Sequence, residues 1–452
     1  MPEEMTMKRQ KTFCDGTSRR DMLRYGAAGL FGMGVTLPQL LQQKAIAAEK
    51  GKSKSDVSLI IVFLQGGLST IDTWDMKPDA PAEFRGEFDP INTNVPGIQL
   101  CEHLPQLAQQ MDKLSLVRSF GHSNSGHGPA DHWMLTGYHP QGGFNAGLKP
   151  NNQKPCYGSV IAQQLGPRGP VPPYVCLPKM HNSGGSADLG SSFAPFVVEA
   201  DPNAPNFAVP DLVPPIDIAA DRLGSRRELL SRVNRFERAE EARANKGVRA
   251  MSTYQQKAFD LMTSSATKAA FNIHREADKL RDQYGRHSLG QSCLMARRLV
   301  EAGVRCTFID HSNWDTHYNN FHVLKNDLLW QLDSALATLL RDLEERRMLE
   351  TTMVLVTGEF GRTPRVNPSA GRDHWGPSSA IAMAGGGIQG GRVVGASNER
   401  AEKPATTPFG PADLAATIYH GLGIDPKTEY RTAEGRPIPI VPGEGRVIEE
   451  LF

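Results

Sequence analysis

Two apolar, β-branched segments separated by one long amphipathic segment constrain the fold of this chain more than any other feature. The first is VRCTFID at residues 304–310, and the second is TTMVLVTGEF at residues 351–360. Between them the leucines recur at helical spacing, at Leu328, Leu329, Leu332, Leu336, Leu339, Leu340 and Leu343. This spacing predicts a helix with one apolar face. A strand, a crossover helix and a second strand form a βαβ unit, which predicts an α/β protein with a parallel sheet.

Other segments extend this prediction to one large, mostly parallel sheet flanked by helices. Residues 57–64, VSLIIVFL, are continuously apolar and end in QGG, as is typical of a buried central strand that opens into a ligand-binding loop. Residues 380–388, AIAMAGGGI, predict a further strand. Residues 222–285 are charged and helical in pattern, which predicts a helical insertion. Residues 140–156 and 178–216 are rich in Pro, Gly and Asn and predict loops.

The N-terminus predicts where the protein works. Arg19 and Arg20 stand in TSRRDMLRY, ahead of a modestly apolar stretch that ends in Ala-Ile-Ala at Ala47. This pattern predicts a twin-arginine signal peptide over residues 1–47, recognised by the twin-arginine export machinery, with an ordinary amphipathic helix as the alternative. Glycines and a proline dilute the apolar stretch, so no stable membrane span is expected. We therefore expect a periplasmic or secreted protein whose mature part, residues 48–452, is one α/β domain.

Charge and cysteine content argue against several classes of partner and metal site. The formal net charge is +1, and removing the signal peptide leaves it close to zero, which argues against nucleic acid or an anionic membrane as partner. Five of the six Cys lie in the mature part, and none forms a CxxC metal-binding pair. An oxidising compartment would allow one disulfide, either Cys156–Cys176 or Cys293–Cys306, although spacing does not select between them.

The histidines predict a metal site. Eight of the thirteen fall in three short segments near predicted strand ends or loops: His122, His127, His132, His139, His311, His317, His322 and His374. Asp315 and Asp373 lie among them. Imidazole and carboxylate without thiolate suit zinc, manganese or iron, whereas a calcium site would use more oxygen ligands. The alternative is a set of unrelated surface or hydrogen-bonded histidines.

Further polar residues follow the predicted strands. Asp72 and Asp75 come after the first strand, and turn-capping aspartates are the alternative interpretation. Glu359 ends a later strand and Arg362 follows it. The carboxylate could bind a cation and the guanidinium an oxyanion, or the two could form a buried ion pair. The glycine-rich segment at residues 385–391 lacks the register of a nucleotide-binding loop.

Several motifs together resemble a known family. The segments FLQGGLSTIDTWDMKPDAPAEFRG, HWMLTGYHP, NWDTH, TGEFGRTPRVN and GRDHW resemble the exported bacterial family DUF1501, in the same order and over most of the mature chain. That family is similar to a branch of the alkaline phosphatase and sulfatase superfamily. The resemblance implies a doubly wound sheet with metal-binding groups at the C-terminal ends of the strands.

The superfamily's catalytic residues carry over only in part. Its first strand ends in a metal-binding aspartate, where this chain has Gln65, with Asp72 as the nearest substitute. The nucleophile position, counted back from Thr136-Gly137, falls on His127 instead of Ser, Thr or Cys. The late Asp-His pair corresponds to Glu359-Phe360. His374 matches a later ligand histidine, and Asp315-x-His317 replaces a longer Asp-x-x-x-His pair.

The resemblance implies a metal-dependent hydrolase of sulfate or phosphate esters, acting on a sulfated or phosphorylated small molecule or polysaccharide. The expected metal residues are Asp72, Asp315, His317, Glu359, Asp373 and His374, with zinc or manganese favoured over calcium. His127 is the expected nucleophile or general base, Arg362 the oxyanion clamp, and His132 a further catalytic candidate. The alternative is a binding or assembly protein that keeps the fold without turnover. Asp315, His317 and His374 are expected to converge at the C-terminal edge of the sheet.

Overall fold

A computed structural model describes residues 56–209, 212, 264–432 and 435–452. The predicted signal peptide and residues 222–263 of the predicted helical insertion lie outside the described residues. Residues 264–285 of that predicted insertion contain two short α-helices. In the described part, no helix combines the length and apolarity that a membrane crossing requires.

The strands and helices are short and numerous. In chain order the strands are β1 (Ser58–Leu64), β2 (Pro90–Asn92), β3 (Gln99–Cys101), β4 (Leu114–Phe120), β5 (Tyr174–Leu177), β6 (Phe196–Val197), β7 (Cys306–His311), β8 (Thr352–Thr357), β9 (Gly361–Arg362), β10 (His374–Trp375), β11 (Ser379–Ala384), β12 (Arg392–Val394), β13 (Glu429–Arg431) and β14 (Pro437–Pro439). The α-helices are α1 (Ala82–Arg85), α2 (Pro105–Ala108), α3 (His127–Thr136), α4 (Tyr157–Leu165), α5 (Ser265–Phe271), α6 (Asp278–Tyr284), α7 (Ser288–Glu301), α8 (Asn320–Val323), α9 (Leu329–Glu345) and α10 (Pro411–Gly421).

The main sheet has eight strands in the order β12-β4-β11-β8-β1-β7-β5-β6. β1 pairs in parallel with both β7 and β8, as predicted from the βαβ pattern. β11 is antiparallel to its neighbours β4 and β8. The sheet is therefore mixed but mostly parallel, which confirms the predicted α/β class.

Alternate residues of β1 belong to two hydrophobic cores, one on each face of the sheet. Ile60, Val62 and Leu64 belong to one core, which also takes the apolar faces of α7 and α9. Leu59, Ile61 and Phe63 belong to the other, together with residues of α4 and α10. Because both faces of the sheet are covered by helices, β1 is continuously apolar from Leu59 to Leu64.

The predicted crossover helix is confirmed, and all seven leucines are buried in the first core. Its start differs from a regular helix, because Leu324–Leu328 is a π-helical turn between α8 and α9. The predicted loop over residues 178–216 includes a short edge strand, β6, which adds to β5. The predicted strand at residues 380–388 ends at Ala384, because Gly385 and the two glycines after it adopt positive φ angles.

The described cysteines do not form the disulfide that an oxidising compartment would allow. Cys101, Cys156, Cys176, Cys293 and Cys306 are all free and buried. Cys293 lies in the first core and Cys306 in the second, so the sheet separates them. The thiol of Cys156 contacts the Tyr174 hydroxyl at 3.3 Å and the carbonyl oxygen of Gly184 at 3.2 Å.

Candidate metal centre

Four side chains from distant parts of the sequence meet beside the C-terminal ends of the central strands. Asp315 and His317 lie in the loop after β7, His374 lies in β10, and His127 is the first residue of α3. β7 and β8 run parallel to β1, so the loops that follow them emerge at one edge of the sheet. We call these four residues the His–Asp cluster.

Each metal-ligating atom of the His–Asp cluster lies within hydrogen-bond distance of at least one other. Asp315 Oδ1 is 3.0 Å from His374 Nε2 and 3.1 Å from His317 Nε2. Asp315 Oδ2 is 3.2 Å from His127 Nε2, and the Nε2 atoms of His317 and His374 are 2.9 Å apart. Ligand atoms around a tetrahedral zinc ion, with bonds of about 2.0–2.1 Å, lie roughly 3.3 Å apart. The predicted convergence of Asp315, His317 and His374 is confirmed.

The outer nitrogens of the three imidazoles all face hydrogen-bond acceptors. His127 Nδ1 donates to the Glu359 carboxylate at 2.6 Å, and His317 Nδ1 donates to the Asp373 carboxylate at 2.7 Å. His374 Nδ1 donates to the backbone carbonyl of Ser125 at 2.9 Å. These partners assign the proton of each neutral ring to Nδ1 and leave a lone pair on Nε2. Metal-binding histidines in proteins are held in this way.

This arrangement fits a divalent metal ion. Two Nε2 lone pairs facing each other at 2.9 Å repel unless a proton or a metal cation lies between them. Three imidazole nitrogens and one carboxylate oxygen are a donor set that suits zinc, manganese or iron. His127, Asp315 and His374 also satisfy the spacing of a three-residue metal site.

Arg362 holds Asp315 in place from beneath. Its buried guanidinium contacts five acceptors, namely the backbone carbonyls of Gly66, Gly67, Trp314 and Arg372 and the carboxylate of Asp315. Partial burial acts to raise the pKa of Asp315, but the hydrogen bond and charge of Arg362 outweigh it and hold that pKa below its usual range. Arg362 was expected to clamp a substrate oxyanion. The structure places it in the interior, with its donors directed to the protein, as a positioning residue.

Two of the histidines have shifted pKa values with different causes. The hydrogen bond to Glu359 is the main cause that raises the pKa of His127 above the ordinary imidazole value. Burial is the main cause that lowers the pKa of His374. In the metal-free state, His127 is therefore the more basic of these two rings.

Glu359 and Asp373 were expected to bind the metal directly, but both contact histidines of the cluster instead. Glu359 is fully buried and also accepts hydrogen bonds from the backbone N–H of Gly66, at 2.9 and 3.1 Å. Asp373 is exposed and bonds His317. Both carboxylates therefore orient imidazoles, and neither faces the point where the Nε2 atoms meet.

The structure does not bring Asp72 into the His–Asp cluster. Its carboxylate forms a buried bidentate ion pair with Arg372, at 2.7 and 2.8 Å. It also accepts hydrogen bonds from Ser69 and Asn320. Both carboxylate oxygens of Asp72 bond these partners, so Asp72 stabilises the packing of the loops that contain them.

His132 also lies apart from the cluster. Its Nδ1 donates to the Tyr138 carbonyl at 2.9 Å, and its Nε2 accepts from the Gln153 backbone N–H at 3.1 Å. Burial lowers the pKa of His132 to about 4. The ring is neutral and fully bonded, and it fixes the loop that follows α3.

A second group of buried polar side chains lies one helical turn along α3 from His127. Asp131 Oδ1 is 3.5 Å from His181 Nε2, a contact too long for a good hydrogen bond, and neither atom has a hydrogen-bond partner in the described part of the chain. Asp310, at the end of β7, has one similarly unpaired oxygen. Burial raises the pKa of Asp131 well above its ordinary value and that of Asp310 to about 6.

Sequence reasoning missed two features of the site. It placed His127 in the site as a nucleophile or base, whereas His127 supplies the fourth converging donor atom. It also missed the role of the Ser125 backbone carbonyl, because a backbone group carries no residue-type signal. The spacing of His127 from Asp131 and Met134 on α3 could have indicated which helical face points inward.

The side chains of the His–Asp cluster are open to solvent. The exposed fractions are 40% for His127, 41% for Asp315, 31% for His317 and 21% for His374. A ligand could therefore reach the cluster directly from the surface.

The fold and the site define a mixed α/β protein with a candidate metal centre at the C-terminal edge of its main sheet. The chain belongs to the family DUF1501 (protein of unknown function), whose model matches residues 56–452. No curated protein sequence matches the chain.

Solved structures show a distant likeness in fold. The chain is similar to a sulfatase from Pseudoalteromonas sp., with 12% identity and a TM-score of 0.39 over 84% of this chain and 70% of that one. It is also similar to a protein in the alkaline phosphatase superfamily from Vibrio parahaemolyticus, with 12% identity and a TM-score of 0.38 over 83% and 68% of the two chains. A third is a phosphonate monoester hydrolase from Silicibacter pomeroyi, with 10% identity and a TM-score of 0.37 over 87% and 76%. These likenesses concern the fold alone.

Proposed function

We propose that this protein binds one divalent transition-metal ion, zinc or manganese, through the His–Asp cluster and hydrolyses phosphate or sulfate esters. One observation carries the proposal: Nδ1 acceptors hold all three imidazoles, and the ligand atoms of His127, Asp315 and His374 lie within 4.8 Å of one another, with His317 Nε2 beside His374 Nε2. When bound there, the ion would polarise an ester oxygen and activate water.

Neighbouring residues would hold the proposed metal ligands in their binding state. Glu359, Asp373 and the Ser125 carbonyl keep the three rings in the tautomer that can bind a cation. Arg362 keeps Asp315 ionised and oriented. Both nitrogens of His127 are engaged in this arrangement, so His127 is a metal ligand in the proposal and no longer a covalent nucleophile.

The test combines elemental analysis with an ester screen. The purified chain is expected to hold a transition metal and to hydrolyse 4-nitrophenyl phosphate, 4-nitrophenyl sulfate or 4-nitrophenyl phenylphosphonate. His317→Ala should lower both metal content and turnover by more than the ~10–100-fold that losing an outer partner costs. Trp330→Ala, on α9, is the control and should change neither. Full turnover in His317→Ala would refute the proposal.

A second candidate function is metal-dependent binding without turnover. Arg362 favours it, because the arginine that would clamp an ester is buried and already bonded to the protein. Metal bound at one ion per chain, together with no turnover of any of the three esters, would support this candidate.

A further inference from the structure

An exposed aromatic ring stands directly beside the His–Asp cluster. Tyr318 follows His317 in the sequence, and 70% of its surface is exposed. The two ring centroids are 6.5 Å apart. The Tyr318 hydroxyl makes no hydrogen bond to any residue in the described part of the chain, so both the ring face and the hydroxyl are available to a ligand.

The backbone that carries Tyr318 is held firmly, so the exposure of the ring does not come from a loose loop. The His317 carbonyl accepts a hydrogen bond from Asn367 Nδ2 at 3.0 Å. The N–H of Asn319, a residue with positive φ, donates to the Ser369 carbonyl at 3.0 Å. A Cβ on Gly371 would lie 1.8 Å from the His317 carbonyl oxygen, so the two loops are in direct contact.

A second exposed apolar side chain belongs to the loop that follows α3, the helix that begins at His127. Leu148 is 56% exposed and lies in the loop after α3. That loop packs against the residue that follows His127, because a Cβ on Gly128 would lie 2.6 Å from the Ala146 Cβ. The loop is also fixed by the Gln153 N–H, which donates to His132.

Amides, hydroxyls and carboxylates are exposed near the cluster, and Lys179 reaches the loop that carries Asp315 through Ser312. Asn313, Ser125 and Asp373 are exposed in the segments that carry the cluster. Among the described residues, Arg362 is the one Lys or Arg side chain within ion-pair distance of Asp315, and it is buried. Such a rim suits a ligand rich in hydroxyl groups. A bilayer surface would instead require a broader apolar face and basic residues.

We propose that Tyr318 is a stacking platform for a pyranose ring, so that the ester reaching the His–Asp cluster is carried on a carbohydrate. The part of this inference that concerns the ester rests on the proposed function. A pyranose ring has a flat face of C–H groups that covers an aromatic ring, and its hydroxyls can bond the neighbouring amides. Tyrosine provides a large, rigid contact area at low conformational cost.

Neutral oligosaccharides test the platform without any ester chemistry. Calorimetric titrations would use maltohexaose, cellohexaose and chitohexaose with the full chain. The wild type should bind at least one of them, Tyr318→Ala should weaken that binding at least ~10-fold, and Tyr318→Phe should stay within about threefold. Trp330→Ala is the matched control, since it removes an exposed aromatic ring from α9 and should leave the affinity unchanged.

The outcomes separate this inference from the proposed function. Asp315→Asn removes a proposed metal ligand and should still bind the oligosaccharide, so loss of metal or turnover alone does not affect the result. No binding of any hexasaccharide by the wild type, or equal binding by Tyr318→Ala, would overturn the inference. Tyr318-dependent binding to phosphatidylglycerol vesicles in place of the hexasaccharides would overturn it in favour of a lipid.

Discussion

Replacing Glu359 with Gln tests whether the buried carboxylate prepares His127 for metal binding. Glu359 Oε1 accepts from both His127 Nδ1 and the Gly66 N–H, and Oε2 lies 3.1 Å from the same Gly66 nitrogen. A glutamine places an NH2 group at one of these two oxygen positions and removes the negative charge. If the NH2 group replaces Oε1, the His127 ring must accept at Nδ1 and carry its proton on Nε2, which blocks the ligand position. If the NH2 group replaces Oε2, it opposes the Gly66 N–H in a buried place, and His127 keeps only a neutral, weaker acceptor.

Either arrangement should weaken metal binding without abolishing it. His127 is one of four donors, and Asp315, His317 and His374 keep their own partners in the variant. Loss of an outer carboxylate partner typically lowers metal affinity by about 10–100-fold. That range corresponds to about 1.4–2.7 kcal/mol.

Competition with a chromophoric chelator would measure the metal affinity of wild type and variant. Asp333→Asn is the matched control, because Asp333 is a buried carboxylate that accepts from the backbone N–H groups of Gln106 and Leu107. The control should lose stability and keep its metal affinity. A Glu359→Gln protein that binds metal as tightly as the wild type would refute the role assigned to Glu359.

Three further predictions concern other parts of the chain. Asp72→Asn breaks the buried ion pair with Arg372, so the free energy of unfolding should fall by about 3–5 kcal/mol while metal content stays constant; loss of the metal would instead make Asp72 a ligand. Asp310 has a folded-state pKa raised by burial to about 6, so its contribution to stability falls as pH rises from about 4 through 6, by up to about 3 kcal/mol. The Asp310→Asn variant has no ionisable group at this position, so urea denaturation should show it more stable, relative to the wild type, at pH 7 than at pH 4. An equal difference in the free energy of unfolding at both pH values would contradict the burial argument. Replacing Arg19 and Arg20 with Lys should retain the precursor in the cytoplasm, as cell fractionation would detect, and unchanged export would show a signal of another kind.

The sequence by itself determined the elements and the edge of the sheet at which to look. The apolar runs of β1, β7 and β8 and the leucine face of α9 follow from local periodicity, which depends only on neighbouring residues. Parallel strands place their following loops at one edge, so Asp315, His317 and His374 could be expected to meet before any contact was known.

Only the tertiary structure decided which polar residues face the proposed metal position and which lie behind it. Asp315, Glu359 and Asp373 are equivalent as carboxylates in the sequence, yet only Asp315 faces the Nε2 atoms. The direction of a side chain depends on contacts made far along the chain, such as that of Gly66 with Glu359, 293 residues away. Such contacts leave no local pattern.

Long-range contacts also explain why the roles of the two arginines and the pairing of the cysteines could not be predicted from the sequence. Arg362 and Arg372 both follow β8, and either could have served a substrate; burial directs both guanidinium groups to backbone carbonyls and carboxylates of the protein. Cys293 and Cys306 are near in sequence but lie on opposite faces of the sheet. Sequence spacing shows only how far apart two cysteines can lie. A disulfide also requires both cysteines to lie on the same face of the sheet, and that is determined only when the strands and helices pack.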